Sequence, residues 1–161
     1  FAKAISNGTP VGGFITSDKI AASYTRPGAS TFGGNPVTSV SALATLDVIN
    51  KYNLIGNAKN MGACLEEKLK ELQDKHVLIG DVRGKGLMLG AELVNQGKEP
   101  AVQETDIILE YMKDKGVLIG KTGANRNVLA FQPSLIITED NVDELVDVLD
   151  GALCYVEKHK E

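Results

Sequence analysis

Apolar positions recur at helical spacing in several stretches, with short apolar runs between them. After Asn35-Pro36, the residues Val37, Val40, Leu43, Ala44 and Leu46 fall on one helical face. Asn35 is a good cap, because its side chain can accept from a free first-turn amide. Pro36 at the next position loses nothing by lacking an N–H. A second helix is predicted over roughly Asn57 to Lys75, with Met61, Cys64, Leu65, Leu69 and Leu72 as its apolar stripe and Glu66, Glu67, Lys70 and Glu71 toward water. Gln103 to Lys115 reads as a third. The clearest 3.6-residue period follows Thr138: Val142, Leu145, Val146, Leu149, Ala152, Leu153 and Val156. Glu139 and Asp140 suit the positive start of that helix, and Lys158 and Lys160 its negative end.

The runs between these stretches read as strands. Val11 to Thr16 is one. Val77 to Gly80 and Gly86 to Leu93 are two more, joined around Arg83-Gly84-Lys85. Gly116 to Gly120 is a short strand, and Val128 to Ile137 holds one or two, interrupted at Pro133. Ser17 could cap a short helix beginning at Asp18. Helices alternating with strands predict an α/β or α+β arrangement.

Composition bounds the function. The chain has 161 residues, 43% hydrophobic and 24% charged, with a net charge of −4. That is ordinary for a globular protein and long enough to bury roughly two thirds of its unfolded surface. Mild acidity argues against nucleic acid or an anionic membrane as the main partner, since both select clustered Lys and Arg. No apolar run approaches membrane-spanning length, and no basic-then-apolar leader is expected. The chain opens on Phe1 rather than Met, so a fragment or a processed product is expected.

Cys64 and Cys154 each sit inside an apolar helical pattern. They read as small core residues in a reducing, cytoplasmic setting rather than as a disulfide or nucleophile. His76 and His159 have no Cys or His at ligand spacing, so no metal site is expected. Counting residues leaves a Ser-His-Asp triad open, but neither His lies in a Gly-rich or strand-end context. Gly116-Val-Leu-Ile-Gly120-Lys121-Thr122 ends like a phosphate loop but has three residues between its glycines where four are needed. Gly84-Lys85-Gly86-Leu87-Met88-Leu89-Gly90 has one residue too many for a dinucleotide turn and leads into a strand, not a helix.

Two segments hold together chemically. Lys3, in Phe1-Ala2-Lys3-Ala4-Ile5-Ser6-Asn7-Gly8, is set among small and apolar residues. Such surroundings favour a neutral, nucleophilic amine. A solvated surface lysine is the competing reading. Gly28-Ala29-Ser30-Thr31-Phe32-Gly33-Gly34-Asn35-Pro36 offers hydroxyls, small residues and a helix start, a combination that can receive a phosphate. A flexible loop with a good cap is the alternative there.

Together these segments resemble the class III, ornithine-type aminotransferases, pyridoxal-phosphate enzymes of fold type I. The resemblance rests on Ala2-Lys3-x-x-x-Asn7-Gly8 with Pro10 and Gly12-Gly13, then Ser30 to Pro36, then Asp81-Val82-Arg83-Gly84-Lys85-Gly86-Leu87-Met88, then Phe131-Gln132-Pro133-Ser134-Leu135. The four occur in family order and cover nearly the whole chain. The resemblance implies that residues 1–53 end the large cofactor-binding domain and that 54–161 form the small α+β domain. It implies pyridoxal 5'-phosphate as cofactor and Lys3 as the Schiff-base lysine. Thr31, with Ser30 beside it, would bind the cofactor phosphate of the neighbouring subunit of a homodimer. Arg83 and its glycines read as a structural turn.

The chain departs from the family pattern in two places. The cofactor-pairing aspartate, the stacking aromatic and the Gly-rich phosphate loop all lie upstream of the lysine in the family. The isolated chain is therefore expected to be inactive. The arginine that usually clamps the substrate α-carboxylate is replaced by Ala130, and Arg126 lies four residues away along a predicted strand, too far for a simple swap. The substrates then either lack an α-carboxylate or bind it through another residue. The implied reaction moves an amino group from an amine or amino acid to a 2-oxo acid. The alternatives are a racemase, aminomutase or lyase of the same fold, or a non-catalytic structural or dimerisation module.

Overall fold

A computed structural model describes residues 1–159; Lys160, expected at the end of the last helix, lies outside the described residues. The chain divides into two units, Phe1–Leu54 and a second beginning at Ile55.

In the first unit, a 3-10 turn spans Lys3–Ser6, α1 spans Asp18–Ala21 and α2 spans Pro36–Lys51. Asn35 caps α2 as expected, its Oδ1 accepting from the Thr38 amide at 3.1 Å. The apolar stripe of α2 is exposed, Val37 by 74% and Val40 by 62%, and no α2 residue is buried. Val11 to Thr16 is not a strand. A strand needs a ladder partner, and of this segment Gly13 alone is paired, its N–H donating to the Phe1 carbonyl at 2.9 Å.

The second unit is one sheet with three helices around a single core. It runs α3 (Leu54–Lys75), β1 (Ile79–Lys85), β2 (Met88–Leu93), α4 (Val102–Asp114), β3 (Gly120–Thr122), β4 (Val128–Phe131) and α5 (Glu139–Lys158). Strand order is β1-β2-β4-β3, antiparallel throughout. Alternation along β2 buries Leu89, Ala91 and Leu93. The register sets Leu89 opposite Phe131 and Ala91 opposite Leu129. Helices contribute Leu65, Leu69 and Leu72 from α3, Ile108 and Met112 from α4, and Val142, Leu145, Leu149 and Leu153 from α5. Each fully buried Leu contributes about 1.5–3 kcal/mol.

The last helix starts as its sequence predicts. Thr138 Oγ1 accepts from the Asn141 amide and Asn141 Oδ1 from the Thr138 amide, a reciprocal cap. The first hairpin is displaced from expectation. Arg83-Gly84-Lys85 lies inside β1, and the turn falls at Gly86-Leu87, where Gly86 has φ +55. Arg83 is thus a strand residue, ion-paired to Asp81 at 2.6 Å and Glu92 at 2.7 Å. The strand expected over Gly116 to Gly120 begins instead at Gly120, and β4 ends before Pro133. Lys121 lies in β3 and pairs with Asp106, so the Gly-Lys-Thr triplet forms no phosphate cradle. Both cysteines are free and half-buried.

Candidate functional site

Lys3 lies in a turn that bonds mostly to itself. Its backbone is left-handed, φ 59, and Asn7 repeats that conformation at φ 48. A non-glycine residue there costs on the order of 1 kcal/mol and needs surroundings that hold it. The surroundings are present. Asn7 N–H donates to Ala4 O at 3.0 Å, and buried Ser6 donates through Oγ to Thr9 O. Ser41 on α2 donates through Oγ to Ser6 O at 2.8 Å, tying the turn to the helix. Gly13 closes the segment, since a Cβ there would come to 2.6 Å from the Phe1 ring. The Lys3 side chain is exposed and has no hydrogen bond or ion pair among the described residues. The desolvating surroundings expected around Lys3 are not formed by the described residues, since Ala2 and Ala4 are exposed along with it. The sequence flags the lysine but carries no signal of its left-handed backbone.

The second motif forms a tight turn at the start of α2. Gly33 N–H donates to Ser30 O at 3.2 Å, and Asn35 Nδ2 donates to Phe32 O at 3.0 Å. Gly34 is left-handed at φ +72, and a Cβ on Gly33 would crowd Ser30 at 3.0 Å. The glycines therefore let the turn close, while the Ser30 and Thr31 hydroxyls stay exposed beside a helix N-terminus. Hydroxyl donors and the positive end of a helix dipole fit a phosphate. No hydrogen bond joins Lys3 to Ser30 or Thr31 among the described residues.

Ala130 is the central residue of a different surface. It pairs with Gly90 and Gly120 across the sheet and lines a cavity of about 270 Å³. Leu118, Ile119, Phe131, Pro133 and Leu145 make that cavity apolar, and no cationic side chain lines it. Arg126 is not brought there. It stands in the β3–β4 turn with φ 56, beyond the Thr122–Val128 pair that ends the ladder. The segment after Pro133 is held by Asn57 on α3, whose Nδ2 donates to Leu135 O at 2.7 Å and Ile137 O at 3.1 Å. Sequence reading missed Asn57, because its partners are backbone carbonyls that no side-chain motif marks.

The model of the family described as aminotransferase class-III matches residues 1–153. The chain belongs to the class III aminotransferases. An Arabidopsis thaliana protein, alanine–glyoxylate aminotransferase 2 homolog 2, mitochondrial, is 49% identical over 94% of this chain and 32% of its own length. Among solved structures, a phospholyase from Arthrobacter in complex with phosphoethanolamine superposes with a TM-score of 0.92 at 30% identity, over 95% of this chain and 37% of that one. An amine transaminase from an uncultivated Pseudomonas species, in its PLP-bound form, superposes with a TM-score of 0.86 at 30% identity, over 96% and 37%. The class III chain thus has the fold type I architecture of these enzymes. It spans about a third of the length of the curated relatives it matches. Family membership implies pyridoxal phosphate as the cofactor.

Proposed function

We propose that the protein to which this chain belongs is an aminotransferase that moves an amino group from a primary amine or amino acid to a 2-oxo acid. One observation carries the reading: the class III lysine motif is present, with Lys3 unpaired on a strained turn. Pyridoxal phosphate, when bound, supplies an aldehyde to capture amines and a ring that delocalises the electron pair of a deprotonated carbon. Lys3 Nζ would hold the cofactor through its aldehyde and, when freed, would serve as the base and acid that moves a proton at the substrate carbon. Ser30 and Thr31 donate their hydroxyls to the phosphate, Thr31 reaching the neighbouring active site of a homodimer. Residues 1–53 end the large domain and 54–161 form the small one. The exposed apolar stripe of α2 supports this, being a face that the rest of a large domain would cover. Reduction of the cofactor-loaded whole enzyme with borohydride, followed by peptide mapping, tests the role of Lys3. The expected label is on Lys3; a label on another lysine, or none, overturns it.

The apolar lining around Ala130 supports an amino donor without an α-carboxylate, because no cation there is available to clamp one, and the carboxylate of the oxo-acid acceptor would be bound by a residue outside this cavity. The relative named for alanine and glyoxylate supports a 2-oxo acid as acceptor.

The Arthrobacter phospholyase favours a second reading, elimination on the same fold. Transfer yields a new amino acid from the oxo acid, whereas elimination releases ammonia without any acceptor. A third reading, a non-catalytic dimerisation module, requires that no cofactor bind at all. No described helix is long and apolar enough to cross a membrane. Its free, half-buried cysteines support a reducing compartment, of which we propose the cytoplasm. The name of the Arabidopsis relative assigns that protein to mitochondria, and imaging of the tagged whole protein decides between the two compartments.

A further inference from the structure

His76 follows α3 and is only 2% exposed. Its Nδ1 lies 2.8 Å from Glu157 Oε2, and its Nε2 lies 2.6 Å from Asp150 Oδ1. Asp150, Cys154 and Glu157 are spaced i, i+4 and i+7 on α5, which puts all three on one face of that helix. Ligand-capable atoms of His76, Asp150 and Cys154 lie within 4.8 Å of one another.

We propose that this cluster binds a divalent transition-metal ion of the zinc class through His76 Nε2, the Asp150 carboxylate and Cys154 Sγ, with Glu157 orienting the imidazole. The donor set selects the ion. A thiolate and an imidazole suit zinc or cobalt, whereas calcium and magnesium take oxygen ligands. Glu157 supplies an independent observation. A metal-bound imidazole nearly always gives its other N–H to a carboxylate or carbonyl, which sets the tautomer. In the metal-bound form Nδ1–H would donate to Glu157, and Nε2 would ligate the ion once the proton it shares with Asp150 Oδ1 has left. Tetrahedral ligand atoms stand roughly 3.3–3.8 Å apart, so the side chains need shifts on the order of 1 Å. The Asp150 side chain is 31% exposed, which lets water take the fourth position.

Lys75 is the competitor. Its Nζ lies 2.7 and 2.6 Å from the two Asp150 oxygens. On binding, the ion enters, the thiol proton and the proton between Nε2 and Oδ1 leave for solvent, and the ammonium keeps only Oδ2. Affinity therefore falls as pH falls. The metal would join the end of α3 to the last turns of α5, and it takes no step in amino transfer. Sequence spacing hid the cluster because His76 stands 74 positions from Asp150.

Cobalt(II) titrated into the chelator-stripped chain tests this. One equivalent is expected to produce a thiolate-to-cobalt charge-transfer band and tetrahedral d–d bands, both lost when zinc is added. Cys154→Ser should abolish the charge-transfer band with the far-ultraviolet dichroism unchanged. Glu157→Leu should weaken binding about 10–100-fold, and Lys75→Met should tighten it. His76→Ala removes a buried, doubly bonded side chain and can unfold the unit, so Cys154→Ser is the deciding variant. The absence of a charge-transfer band in the unmodified chain overturns the site. So does a band that survives Cys154→Ser, or one that disappears only with Cys64→Ser.

Discussion

Gly62 on α3 lies against Gly86 in the first hairpin turn so closely that a Cβ on Gly62 would come to 2.3 Å from the Gly86 carbonyl carbon. The obstacle is backbone, which cannot rotate away as a side chain can. Gly86 is itself left-handed, which suits it to turn at this point. Gly62→Ala gains up to about 1 kcal/mol of helix propensity. It loses more to the clash, because forcing atoms into a packed core costs typically 1–3 kcal/mol. Gly151 on α5 is the control. Its Cβ would meet Tyr111 Oη at 3.1 Å, the end of a side chain that can shift by tenths of an ångström. Urea unfolding should show Gly62→Ala clearly destabilised and Gly151→Ala near neutral. Equal effects would mean that the Gly62–Gly86 approach does not limit packing.

The left-handed backbone of Lys3 yields a second expectation. Lys3→Ala and Lys3→Gly both remove the amine, but only glycine tolerates φ 59 without strain. Lys3→Gly should be the more stable by about 1 kcal/mol, read as slower hydrogen exchange at the Asn7 amide. Both should abolish cofactor attachment in the whole enzyme. Identical exchange in the two variants would show that the strain is not held in the native state.

These relationships differ in how far the sequence discloses them. The α5 helix was readable to the residue at its start, because a 3.6-residue stripe and a Thr138 cap agree. The first hairpin was not. Gly84 and Gly86 both suit a turn, and the choice depends on pairing with β2, where a Cβ on Gly84 would come to 2.1 Å from Met88 O. Lys3, Ser30 and Thr31 were found by motif, yet the conformation that exposes Lys3 depends on Ser6 and Ser41, 35 positions apart. His76 read as a solitary residue because its partners come from a helix that only tertiary packing brings near.

The two helix caps should separate stability from cofactor binding. Asn35→Ala and Thr138→Ala each remove a capping acceptor, at a cost of about 1 kcal/mol. Asn35 also anchors the Ser30–Gly34 turn through Phe32 O, so Asn35→Ala should weaken pyridoxal phosphate binding by the whole enzyme. Thr138→Ala should lower the unfolding midpoint and leave cofactor affinity unchanged. If both variants bind the cofactor equally well, the turn before α2 does not receive the phosphate.

Acid should loosen the α3–α5 contact through Asp150. Its carboxyl is held below the usual carboxylate range chiefly by the hydrogen bond from Lys75 and secondarily by His76, against the opposing effect of burial. A group whose folded value is depressed stabilises the fold above its unfolded value. That contribution is lost as pH falls from the usual carboxylate range through the folded value. Stability measured with a chelator present should therefore decline over this window, and Asp150→Asn should flatten the decline. An unchanged slope in the variant would assign the acid sensitivity to other carboxylates.

The most direct test of substrate choice is Ala130→Arg in the whole enzyme. Ala130 lines an apolar cavity with no cation, and Arg126 stands at the far end of the β3–β4 ladder. An arginine at 130 would add a bidentate donor for a carboxylate, and hydrogen bonds to charged groups contribute about 1.5–3 kcal/mol. The ratio of kcat/KM for an α-amino acid over an ω-amine should then rise roughly 10- to 100-fold. Burying the guanidinium among Leu118, Ile119 and Pro133 carries its own cost, so kcat/KM for the ω-amine should fall at the same time. If the ratio is unchanged while the enzyme remains folded, position 130 does not face the substrate. The carboxylate, where one is present, would then be bound by a residue outside this cavity.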